Sequence, residues 1–300
     1  MDWNLIRPRT WPLWLAFGVL RVVIVLPFPL LVSLGRAMGR LLLPLARGRA
    51  AIARRNIELC FPELDGVARE QLLRDHFAAL GISLMEFGLA WWASDRRLAG
   101  LGEVVGLENL ESAARAGKGV LMLSAHFTCL ELCGRLLTRH FAFVAMYRPS
   151  DNPVVEYLMA RARARATTGI IPRDDVKAVI RSLRRGNTVW YAPDQNTGRR
   201  KAVFVDFFGH KVATTPATSR LAGMTGARVV PFKVARKRDG SGYLLTLEAP
   251  LEDFPSGDQL ADTQRTNDVI ERWVREYPEQ YLWIHRRFRT RPDRSDPKIY

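Results

Sequence analysis

The segment Ser124-Ala-His-Phe-Thr-Cys-Leu-Glu131 places an imidazole and a carboxylate five positions apart, just after a short apolar run. A histidine whose one ring nitrogen is held by a carboxylate can use the other to take a proton from an attacking hydroxyl. Five positions cover about 500° of an ideal helix, so His126 and Glu131 share no face if both are helical. They can meet if His126 stays on the connecting turn and Glu131 enters the first helical turn. A plainer reading is equally specific. Thr128-x-x-Glu131 has the form of a capping box, in which Glu131 would only satisfy backbone N–H groups. The residue types leave both readings open.

The surrounding elements place this pair at a strand-to-helix junction. Residues 120–124 read as a buried strand and a helix follows from about Cys129. Ligands of open α/β sheets bind at the carboxyl ends of strands, which is where His126 falls. Further strands are expected over 143–147, 188–192, 228–234 and 243–248. Helices are expected over 67–92, 153–166 (capped by Asn152, with Pro153 in its first position), 174–185 and 262–277, with another opened by Thr215-Pro216. This alternation predicts an α/β fold: a mixed, largely parallel central sheet flanked by helices.

Residues 11–34 carry a single charge, Arg21. At 1.5 Å per residue the stretch is long enough for a hydrocarbon core of about 30 Å. Arg21 would cost roughly 2.5–3.5 kcal/mol inside a bilayer, and Pro27 and Pro29 would kink the helix, so a broken helix lying in the interface competes with a full span. A buried core helix is the third reading. No small-residue cleavage site follows, which argues against a removed signal peptide. Arg36, Arg40, Arg47, Arg49, Arg54 and Arg55 lie downstream, against Arg7 and Arg9 upstream. The positive-inside rule then puts the rest of the chain on the cytoplasmic side. Trp3, Trp11 and Trp14 suit a membrane-interface belt. The expected organisation is a membrane anchor over 1–35 and a catalytic domain over 36–300.

The 300 residues carry a net charge of +15. That excess calls for an acidic partner: nucleic acid, anionic lipid, a phosphorylated substrate or an acidic carrier protein. No zinc-finger, RNA-recognition or basic-zipper pattern supports nucleic acid. Cys60, Cys129 and Cys133 are an odd number of thiols, which fits a reducing compartment better than a disulfide framework, and no Cys/His pair stands at zinc-ligand spacing. No metal or bound cofactor is expected.

In order along the chain stand RRNIELCFPE, HFTCLELCGR, YRPSDNP, YAPDQ, FFG, EQYLWIHRRF and a terminal RTRP…Y. This set closely resembles the late lipid A acyltransferases, a family within the H-x4-D/E acyltransferases, over roughly residues 35–300. The resemblance implies an inner-membrane enzyme with its catalytic domain on the cytoplasmic side. Its acyl donor would be acyl carrier protein, and its acceptor a lipid A precursor bearing 3-hydroxyacyl chains. It implies that His126 deprotonates the acceptor hydroxyl while Glu131 orients the imidazole. Arg163 matches the family's arginine on the helix after YRPSDNP, where a cation would stabilise the oxyanion. Asp194 matches the first aspartate of the family's PDxD segment. Asn196 stands in place of the second, which puts in doubt any role needing charge there.

Each supporting residue also has an ordinary reading. Arg148 could touch acceptor phosphates or form a local ion pair, and Arg173, just before Asp174, is balanced in the same way. Asp194 could simply order its loop. Arg161 and Arg165 could face headgroups. His76, His140 and His210 read as structural or surface residues, and His285 as a packing residue. The nearer rival function is a glycerolipid acyltransferase using acyl-CoA or acyl carrier protein, although YRPSDNP and EQYLWIHRRF do not resemble that branch. The remoter rival is a non-enzymatic, membrane-tethered binder of anionic lipid or nucleic acid.

Overall fold

The computed structural model of the chain describes residues 5–300, so Trp3 lies outside the described residues. The apolar N-terminal stretch forms two helices, α1 (Trp11–Val23) and α2 (Phe28–Leu45), rather than one kinked helix. Pro27 is the residue that caps α2 and Pro29 sits in its first turn, where a missing N–H costs nothing. The prolines therefore start a helix instead of bending one. Among the described residues, α2 is the one helix long and apolar enough to cross a membrane, by length and composition. Helices α3 (Arg47–Cys60), α4 (Gly66–Trp92) and the short α5 (Asp95–Leu98) follow.

Helix α2 packs along α4 almost backbone to backbone. A Cβ on Gly39 would come within 2.0 Å of the Phe77 carbonyl oxygen, and one on Gly81 within 2.0 Å of the Gly35 carbonyl oxygen. Only glycines permit that approach. The expected anchor boundary at residue 35 thus falls inside a continuous helix bound to the body of the protein.

The remaining elements are β1 (Gly102–Val105), α6 (Leu107–Arg115), β2 (Val120–Leu123), α7 (Leu130–Leu137), β3 (Val144–Tyr147), α8 (Pro153–Ala166), β4 (Gly169–Pro172), α9 (Val176–Arg184), β5 (Thr188–Tyr191), β6 (Val203–Phe207), β7 (His210–Thr214), α10 (Ala217–Thr225), β8 (Arg228–Arg236), β9 (Tyr243–Leu247) and α11 (Gln259–Glu276). Seven strands form one sheet in the order β1-β9-β8-β2-β5-β3-β4. Every neighbouring pair is parallel except β8 and β9. This is the mixed, largely parallel sheet that the alternation predicts. The fully buried β2 lies at its centre.

Sequence periodicity left β1, β4 and the β6–β7 hairpin unread. Strands β1 and β4 are four-residue sheet edges with no fully buried position, so neither carries a strong apolar run. The hairpin pairs antiparallel, apart from the main sheet, and packs under α11, where Gln264 and Asn267 bond the Asp206 carbonyl.

Candidate active site

The register of the parallel core builds the site. Leu123, the last residue of β2, pairs with Tyr191, the last of β5. His126 lies three residues beyond the first strand end and Asp194 three beyond the second, so two loops leaving adjacent parallel strands meet. His126 Nδ1 is 2.6 Å from Asp194 Oδ1, and the His126 backbone N–H donates to Oδ2 at 2.9 Å. Asp194 is buried, at 2% side-chain exposure, while His126 retains 29%. Burial pulls the Asp194 carboxyl upward, but the charge and hydrogen bonds of His126 overcome it and hold the group at about 2. With Nδ1 donating to a carboxylate, the Nε2 lone pair is left free. Nε2 has no partner among the described residues and is not sealed from solvent.

The expected contact between His126 and Glu131 is not made. His126 does sit on the turn and Glu131 in the first turn of α7, yet the Glu131 carboxylate is held elsewhere. Arg163 Nε and Nη2 donate to its two oxygens at 3.1 and 2.5 Å, and Trp91 Nε1 donates to Oε1 at 3.0 Å. Glu131 is a bidentate partner of Arg163, not the orienting group of the imidazole. The capping box is not formed either. Cys129 is the N-cap of α7 and makes no side-chain cap bond, while the Thr128 hydroxyl accepts from Arg236 Nη1 at 2.9 Å.

Arg163 projects from α8. Desolvation disfavours its charge, but Glu131 more than compensates, so the guanidinium is held firmly protonated. Its Nη1 makes no hydrogen bond among the described residues. The Glu131–Arg163 pair stands at a narrow apolar pocket lined by Trp91, Leu130, Phe143, Ala145, Ala162 and Trp190. Arg148 and Arg173 follow the carboxyl ends of β3 and β4, on the same sheet edge as His126 and Asp194. Both are half exposed; Arg148 pairs with Asp151 at 2.9 Å and Arg173 approaches Asp174 at 4.0 Å. The structure brings them to the correct edge but not into contact with the histidine.

A support behind the histidine loop was not legible in the sequence. Arg236, at the end of β8, is buried and forks onto the buried Glu86 carboxylate of α4, with Nη2 at 2.6 Å from Oε2. Its third nitrogen holds Thr128. The EQYLWIHRRF block runs beside the same loop: Thr128 N–H donates to the Gln280 carbonyl, Leu282 N–H donates to the His126 carbonyl, and Phe127 bridges to Tyr281. Glu86, a lone charge in the otherwise apolar run 81–92, was the signal that could have pointed to such a pair, whereas Arg236 is followed by Lys237 and Arg238 and does not stand out. His285 accepts from the Asn196 backbone N–H at 2.9 Å, and burial lowers its pKa to about 4. The Asn196 side chain bonds both the hydroxyl and the backbone N–H of Thr290, so this position pins the loop without needing a charge. His76 is a buried structural residue, with Nδ1 on the Glu279 carbonyl.

An open α/β sheet carrying a carboxylate-held histidine at a central strand end is an arrangement suited to general-base chemistry. Among known proteins, residues 1–290 match the model of the bacterial lipid A biosynthesis acyltransferases. The chain is 41% identical to the lipid A biosynthesis lauroyltransferase of Escherichia coli K12, over 96% of this chain and 95% of that one. It is 38% identical to the palmitoleoyltransferase of the same pathway and strain, over 96% and 94% of the two chains, and 32% identical to the myristoyltransferase, over 95% and 89%. The chain belongs to the bacterial lipid A biosynthesis acyltransferase family.

Proposed function

We propose that this enzyme is a secondary acyltransferase that moves a fatty acyl chain from acyl carrier protein to the 3-hydroxyl of an acyl chain on a lipid A precursor. The observation that carries the chemistry is His126, with Nδ1 fixed by Asp194 and Nε2 open. Nε2 takes the proton of the acceptor hydroxyl as its oxygen attacks the thioester carbonyl carbon. Arg163, aimed by Glu131, offers its free Nη1 to the oxyanion of the tetrahedral intermediate. Collapse breaks the carbon–sulfur bond, and the thiolate of the carrier recovers the proton from the imidazolium. The ester and the free carrier thiol balance the reaction with no covalent enzyme intermediate. Asp194 stays ionised throughout and holds the ring and its tautomer, as the acidic residue of a catalytic triad does.

The seat of the reaction is the cytoplasmic face of the inner membrane. Trp11, Leu15, Val19 and Val22 form an exposed stripe on α1, and Leu30, Leu34, Leu41 and Leu45 form one on α2. With the other face of α2 packed on α4, these stripes favour insertion into one leaflet over a free-standing span. Arg148 and Arg173, on the rim of the sheet edge, face the approaching substrates.

The test is a transfer assay with membranes carrying wild-type or His126→Ala protein, a tetra-acylated lipid A precursor and a panel of acyl carrier protein thioesters. Mass spectrometry should show the gain of one acyl chain with wild type and none with the variant. Undiminished gain with His126→Ala would end the mechanism. Acylation of glycerol phosphate in place of the lipid A precursor would transfer the assignment to the glycerolipid branch.

A further inference from the structure

Beside the loop that carries Asp194 lies a cleft of about 800 Å³ which the mechanism above does not use. Arg47 and Arg49 line it from the first turn of α3, and Arg286 and Arg289 line it from the segment after α11. None of the four guanidinium groups has a carboxylate partner within 4.0 Å among the described residues, whereas Arg54, Arg163, Arg236 and Arg272 all do. Arg49 is steadied by the Ile284 carbonyl and Arg286 by the ring of Tyr300, 6.0 Å from its guanidinium carbon. Four like charges gathered around one cavity repel one another until an anion enters. Guanidinium forks match the tetrahedral oxygens of a phosphate.

Two further features narrow the class of ligand. The cleft wall is continuous with the active site, because the lining residues Asn196 and His285 bond each other at 2.9 Å and Asn196 lies two positions after Asp194. Leu45 forms part of the lining and is 78% exposed, continuing the apolar stripe of α2. An anionic head beside an exposed hydrocarbon-binding strip fits an amphiphile presented by the bilayer better than a soluble polyanion. We propose that this cleft is a phosphate subsite that seats a phosphomonoester on the sugar headgroup of the acceptor lipid while one of its hydroxyacyl arms reaches His126. The proposal rests on the function proposed above and adds how the acceptor is held.

The experiment uses the full chain in mixed micelles with a phosphorylated lipid A precursor and its phosphatase-treated counterpart. The variants are Arg47→Gln/Arg49→Gln and Arg286→Gln/Arg289→Gln, with Arg181→Gln/Arg185→Gln, at exposed positions of α9 and its C-cap, as a control that removes equal charge. Each cleft pair should raise KM for the phosphorylated acceptor about tenfold or more, with kcat within about twofold and KM for the acyl donor unchanged. With the dephosphorylated acceptor, wild type should show the same raised KM and the cleft variants no further loss. Unchanged acceptor KM in both cleft pairs would overturn the proposal. So would a rise in donor KM instead, which would make the cleft a carrier-protein dock. An equal effect from the control pair, or one that follows the anionic lipid content of the micelle and not the acceptor phosphate, would reduce the cleft to general surface electrostatics. Binding of the two acceptors to the His126→Ala protein provides a readout independent of turnover. If wild type acylates no lipid A acceptor, the proposed function fails, and preference for the phosphorylated acceptor in that binding measurement still decides the subsite.

Discussion

Asp194 accepts two hydrogen bonds from one residue, the backbone N–H and the ring of His126, so it fixes both the position of the loop and the face of the imidazole. Replacing it by asparagine keeps the shape but favours the wrong tautomer. Asp194→Asn should therefore lower kcat on the order of 10³-fold with little change in acceptor KM, read from initial rates at saturating donor. Glu131 works through a different partner. A double-mutant cycle pairing Glu131→Gln with Arg163→Lys should be strongly non-additive in kcat, while one pairing Glu131→Gln with Asp194→Asn should be close to additive. Strong coupling in the second cycle and none in the first would restore Glu131 to the histidine. The spacing His126-x4-Glu131 singled out two candidate positions but not which groups they touch, since five residues of sequence say nothing about a loop residue 68 positions later.

At the scale of elements, two devices hold the site. The Glu86–Arg236 pair ties α4 to β8 and reaches the histidine loop through Thr128. Removing one partner of such a buried pair leaves an uncompensated charge, so Arg236→Met should destabilise by about 3–5 kcal/mol, and Glu86→Leu/Arg236→Met should recover much of that loss. Urea unfolding in detergent checks both. The second device is the α2–α4 crossing at Gly35, Gly39 and Gly81. Gly39→Ala would press a methyl against the Phe77 carbonyl and force the helices apart, costing about 3 kcal/mol in the same measurement. Neither device is local in sequence. Helix α4 itself was legible from its apolar periodicity, and so were its limits to within a residue, because those depend on neighbouring residues and on the Asp65 cap.

For the whole molecule, the proposed seat at an anionic membrane surface draws on two features together, the exposed apolar stripes on α1 and α2 and the net charge of +15. Leu15→Glu/Val22→Glu should shift the protein from the pellet toward the supernatant in sedimentation with anionic vesicles, with the α/β sheet still folded. Stability should also depend on acidity. Burial holds His76 at about 4 and His285 at about 4, both below the usual histidine value, so the unfolded chain binds more protons than the folded one between pH 6.5 and 4. The stabilisation is complete above pH 6.5 and is lost as pH falls toward 4, on the order of 3 kcal/mol for the fully buried His76. The thermal midpoint should drop through that window, and His76→Leu should flatten the slope.

The sequence by itself determined the α/β alternation, the central buried strand, the apolar amino-terminal segment and the family, and it singled out His126, Glu131, Arg163 and Asp194 as site candidates. Those properties are written in residue types and short periods, which neighbouring positions enforce on one another. Tertiary structure alone decided the pairing among these four residues, the close packing of α2 on α4, the Glu86–Arg236 support and the clustering of Arg47, Arg49, Arg286 and Arg289 around one cleft. The reason is the sheet register. Aligning Leu123 with Tyr191 carries Asp194 onto the ring of His126, and that alignment follows from packing the whole parallel core, to which no local pattern refers.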